Sequence, residues 1–192
     1  MTTTETGDLE DATSVLVLAL AVRSAVVDAY ANLIDCDEFD RVIAATVSRP
    51  PADWEHQDDC PMRVSRIDVN GHTRSAADAG PEGAALPPDA EVSDPTDLEK
   101  LGRAMSDALE RANEEGDRAA LVVHSVSDLL HHSDEATVFK FVYTLGEVVR
   151  RADGKVYFHF DSRAHEADTL DMFETACDAV AELDGGVTVT KP

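Results

Sequence analysis

The stretch AALVVHSV at residues 119–126, followed by an amphipathic run and then by KVYFHFD at residues 155–161, decides the fold. The first segment is a short continuous apolar run, the pattern of a strand buried on both faces of a parallel sheet. Between the two, Val138, Phe141, Val142, Leu145, Val148 and Val149 recur at three- and four-residue spacing, which places them on one face of a long helix. Arg150 and Arg151 fall in its last turn, where the helix dipole favours cations. Residues 118–165 therefore read as a strand-helix-strand unit, with His131 and His132 in a solvated turn.

Upstream, residues 14–20 (SVLVLAL) and 41–47 (RVIAATV) repeat the buried-strand pattern, and between them Val22, Ala25, Val26, Ala29, Tyr30, Leu33 and Ile34 share a helical face. A short helical turn is expected at 52–56. Residues 62–69 alternate apolar and polar side chains, as in a more exposed, edge-like strand. From 76 to 95 periodicity disappears and Gly, Pro, Ala and Asp accumulate, which predicts a long loop. Thr96-Asp97-Leu98-Glu99 has the form of a capping box with Thr96 as the cap. The helix it opens carries Leu98, Leu101, Met105, Ala108, Leu109 and Ala112 inward and ends near Gly116. A final helix over 166–183, with Leu170, Phe173, Cys177, Val180 and Leu183 inward, leads to a last strand at 187–190.

Strands alternating with helices imply a three-layer α/β/α fold around a mostly parallel central sheet. At 192 residues and 43% hydrophobic content, the chain suits one domain over residues 13–192, preceded by a disordered acidic segment at 1–12. Three widely spaced cysteines, Cys36, Cys60 and Cys177, form no CxxC pair and indicate neither a disulfide framework nor a thiolate zinc site. The apolar run at 15–22 is too short to span a bilayer. A cytoplasmic protein without a membrane segment is the expectation.

The formal charge of −23 arises from 39 acidic against 16 basic residues, only four of them lysines. Self-repulsion of that size destabilises a compact chain unless salt screens it. Acidic residues are spread along the chain instead of forming one tail, as in proteins adapted to molar salt, so a halophilic source is expected. No basic stripe exists to release counterions from a phosphate backbone, which argues against direct nucleic-acid binding.

Ligands of open α/β sheets bind beyond the carboxyl ends of strands. After the first strand there is neither glycine nor lysine, and no GxxxxGK[ST] or GxGxxG occurs in the chain, so no loop of converging N–H groups can cradle phosphate. No GxSxG elbow surrounds Ser125 or Ser127. His124, His159 and His165 with Asp161 could meet at adjacent strand ends as a nitrogen/oxygen zinc set. The plainer reading makes His124 and His159 buried residues satisfied by backbone carbonyls, and lets His165 begin a helix. Arg74, at the start of the long loop, could contact a small anion.

The order of elements, residues 41–54 and residues 121–130 resemble the core of RecA/KaiC-type P-loop ATPases. More closely, Gly71-His72-Thr73-Arg74-Ser75-Ala76, Pro95-Thr96-Asp97-Leu98 with Leu101-Gly102, His124-Ser125, and His159-Phe160-Asp161 with Ala164-His165 resemble a haloarchaeal family of degenerate RecA-like domains. The resemblance spans about residues 13–185. It implies a RecA-like P-loop NTPase fold without its phosphate-binding loop. It also implies that Ser48-Arg49 replaces the catalytic acidic pair, and that His124 stands where active members carry a metal-associated aspartate. Magnesium prefers oxygen ligands, so His124 is no substitute. The expectation is a pseudo-ATPase with no catalytic residues, no metal and no cofactor. It would act in regulation, signalling or assembly through a protein partner or homo-oligomer. The alternative is a metal- or small-ligand-binding domain built on His124, Ser125, His159, Asp161, His165 and Arg74.

Overall fold

The computed structural model describes residues 9, 11–19, 33–34, 37–47, 62–69, 88–183 and 187–190. Eight strands form one sheet: β1 (Ser14–Ala19), β2 (Arg41–Thr46), β3 (Arg63–Val69), β4 (Ala90–Val92), β5 (Ala119–His124), β6 (Lys155–Phe160), β7 (Ala179–Leu183) and β8 (Val187–Thr190). The described helices are α1 (Leu98–Glu115), α2 (Val126–His132), α3 (Glu135–Arg151) and α4 (Ala167–Glu174). The spatial order is β4-β3-β2-β5-β6-β1-β7-β8, parallel throughout except for the antiparallel β7-β8 pair. This is the three-layer α/β/α class with a mostly parallel sheet. Among the described residues no helix is long and apolar enough to cross a membrane.

Side-chain alternation along the strands divides the core in two. One face presents Ile43, Leu121, Val123, Phe158 and Phe160 to the apolar stripes of α1, α3 and α4. The other presents Val17, Val42, Val122, Tyr157 and Ala181 to Leu9, Ala12, Leu33, Ile34 and Phe39. Strands β5 and β6 are buried at every position, which is why residues 119–123 and 156–158 are apolar without interruption. Leu9 and Ala12 are thus core residues within the segment expected to lack structure. The predicted helix through 22–34 lies outside the described residues save Leu33 and Ile34. The helical turn at 52–56 and most of the 76–95 loop also lie outside them.

Several local expectations are corrected. Helix α1 is capped by Asp97, whose carboxylate accepts the Lys100 N–H at 2.9 Å, while Thr96 turns back onto Asp94. Its carboxyl end is where expected: Gly116 adopts φ +82° and donates its N–H to Asn113, a left-handed conformation that glycine adopts at low cost. Ala90–Val92, inside the expected loop, forms a strand beside Ile67–Val69. The first strand of the opening unit stops at His124, because Ser125 caps a short helix, α2. His131 and His132 therefore end a helical turn, although both remain exposed.

The largest correction is at the carboxyl-terminal side. The periodicity of Leu170, Phe173, Cys177 and Val180 suggests one helix to 183, yet the helix ends at Glu174 and Ala179–Leu183 runs parallel to β1. A short apolar run satisfies both periods, and here tertiary pairing decides. Asp178 directs the outcome. Its carboxylate accepts the Thr13 and Ser14 N–H groups at 3.1 and 2.9 Å, the Ser14 hydroxyl at 3.0 Å, and the Arg150 guanidinium at 2.7 and 2.9 Å. Its own N–H donates to the Ser14 carbonyl at 2.9 Å. Cys177 just before it is buried, which pushes its thiol up to about 12.

Burial alone would raise the Asp178 pKa, but the Ser14 and Arg150 hydrogen bonds outweigh it and hold the group below 3.8. Asp178 therefore contributes stability above its unfolded pKa, and that contribution is lost as pH falls through the folded value. Asp178→Ala is expected to cost about 1–3 kcal/mol in denaturant unfolding at neutral pH, with the gap from wild type closing in strong acid. A variant as stable as wild type at neutral pH would remove this tie from the account of β7.

Candidate functional site at the strand ends

The carboxyl ends of β2, β3, β5 and β6 gather at one edge of the sheet. There Asp68 pairs in register with Thr46, and Thr46 with His124. Val122 pairs with Tyr157, so the next rung toward the carboxyl edge on that face brings His124 to His159. Their rings stack with centroids 4.4 Å apart and planes inclined by 25°. The Thr46 hydroxyl donates to Asp68 Oδ1 at 3.3 Å. Four adjacent strands thus end in one polar rung, Asp68-Thr46-His124-His159, on the face opposite α1–α4.

This rung carries little positive charge because burial forbids it. His124 and His159 are 5% and 3% exposed, and desolvation disfavours an imidazolium. It pushes His159 down to about 3, with the neighbouring His124 adding to the shift and Asp128 opposing it. His124 is lowered for the same leading reason, again against Asp128. Both rings are neutral at pH 7, each with one N–H to donate and one nitrogen to accept.

Directly after β5 the chain turns through a cis His124–Ser125 peptide into α2. The Ser125 hydroxyl donates to Asp128 Oδ2 at 2.6 Å and accepts the Asp128 N–H at 3.1 Å, which makes it the helix cap. Ser127 accepts the Asp161 N–H at 2.9 Å, tying the start of α2 to the end of β6. The Asp161 carboxylate accepts the Arg163 N–H at 3.0 Å.

His165 belongs to the other side of the sheet. Its ring lies 4.9 Å from Phe160, which projects toward the helices, and 6.3 Å from His131 at the end of α2. Burial and the nearby His131 lower its pKa, while Asp161 and Glu135 pull it back. The expected zinc set is therefore divided: His124 and His159 stack on one face, and His165 packs on the other. Among the described residues no group of three His, Cys, Asp or Glu side chains is placed to hold a metal. Arg74, Leu20 and Ser48 lie outside the described residues.

Residues 12–183 match the model of a family of unknown function, DUF7504. The chain belongs to this family. No curated protein matches it. Among solved structures, Project ID PH0250 from Pyrococcus horikoshii OT3 is similar at 15% identity with a TM-score of 0.58, covering 94% of this chain and 86% of that one. At this identity the likeness shows a shared fold alone.

Within this DUF7504 domain, the sequence reading and the structure both put His124, Ser125, His159 and Asp161 at the carboxyl edge of the sheet, while Thr46, Asp68 and Asp128 join them there only in the structure. One signal for them was present: Ser125-x-x-Asp128 has the serine-to-acid spacing of a helix start. The position of Thr46 on the rung follows only from strand register.

The stacked pair has a pH consequence. An unfolded histidine titrates near 6.5 whereas His159 titrates at about 3 in the fold, so the unfolded chain binds more protons throughout that window. Stability is therefore lost as pH falls from about 6.5 toward 3, with a slope of up to about 1.4 kcal/mol per pH unit for His159. His159→Phe is expected to flatten this decline in urea unfolding measured between pH 7 and about 4. An imidazolium signal from His159 in NMR at about pH 5 would contradict the burial argument.

Proposed function

We propose that this DUF7504 domain is a non-catalytic RecA/KaiC-like module of a halophilic archaeon, cytoplasmic, acting in regulation or assembly through protein contacts. The observation that supports it most is the state of His124 and His159. At the strand end where the resemblance implies a metal-associated aspartate, the chain has a buried, uncharged, stacked imidazole pair, a poor partner for a hard cation. In phosphoryl transfer such a cation offsets the charge that develops on the phosphate oxygens, and positioning with electrostatics supplies almost all of the catalysis. The absence of a glycine-rich, lysine-bearing loop after β1 is consistent with this, since the sequence there offers no cradle for phosphates. The acidic surface, with 39 acidic residues, favours protein contacts in screened, salty solution over contact with nucleic acid.

With Mg²⁺ and ATP in concentrated KCl, the purified protein should show no phosphate release above the protein-free rate. Turnover abolished by His124→Ala or by Asp128→Asn would overturn the non-catalytic reading.

A second reading is favoured by the polar rung itself: Asp68, Thr46 and the two imidazoles offer mixed donors and acceptors to a small ligand at the edge where α/β sheets bind ligands. It predicts a ligand or metal in stoichiometric amount in protein purified without chelators, lost from the His124→Ala/His159→Ala double variant. Protein empty in both forms, by mass spectrometry and elemental analysis, would end that reading.

A further inference from the structure

We draw no further inference here: the strongest candidate, the cluster of His131, Glu135, Asp161 and His165 where α2, α3 and the turn after β6 meet, keeps its two rings 6.3 Å apart and, among the described residues, sets no three such side chains where they could hold a metal, so that only the lowered pKa of His165 is left to support a site there.

Discussion

Cations are scarce in this protein, and among the described residues most of the ion pairs between elements sit at the amino edge of the sheet. Arg41 at the start of β2 donates to Asp117 at 2.9 Å and also pairs with Glu115, while Arg63 at the start of β3 pairs with the same two carboxylates. Arg118 before β5 pairs with Asp40 at 3.2 Å. Lys155 at the start of β6 donates to the Leu9 carbonyl at 3.0 Å and to Glu38 at 3.2 Å. Arg150 binds Asp178 before β7. With 16 basic residues against 39 acidic ones, such placement concentrates attraction where separate segments must be held in register. Exposed pairs contribute little each. Asp117 and Lys155, however, are buried, and removing a partner from a buried charge is costly.

The opposite edge is built differently, and the amino-edge pairs explain why it can be. Once the strands are registered from their starts, their ends meet without needing charge. The rung of Asp68, Thr46, His124 and His159 is the result, held by hydrogen bonding and ring stacking. A buried carboxylate at position 124 would stand close to Asp128 and call for a cation to balance it. A neutral imidazole makes no such demand. The histidine at this strand end is thus the residue that burial tolerates in an acid-rich chain.

Much of this architecture is legible in the sequence because its central strands are buried on both faces. Residues 119–123 and 156–158 are apolar at successive positions, as strands covered on each side must be, and the alternation of faces then places His124 and His159 together. What is not legible depends on partners distant in sequence. Cys177 and Val180 fit a helical stripe as well as a strand, and only the Asp178 bonds to Thr13 and Ser14, more than 160 residues away, select the strand. Ala90–Val92 is too short for any period to register. Thr46 looks like the end of an apolar run until its neighbours across the sheet are known. His165 illustrates the reverse error. It is near His159 in sequence, yet the chain turn after β6 sends it to the far face beside Phe160.

The same physics bears on what the strand-end site can do. Burying polar groups is unfavourable unless their hydrogen bonds are met, so a rung with three buried polar side chains persists at a cost an apolar rung would avoid. One rung earlier on that face the chain places Ala44, Val122 and Tyr157, which shows that apolar packing is available to this sheet two residues away. On β2, β5 and β6 the last rung is thus more polar than the one before it, at the edge where α/β sheets bind ligands. The buried imidazoles are neutral, so they add hydrogen-bonding groups at that edge, one N–H donor and one nitrogen acceptor per ring, and no fixed positive charge.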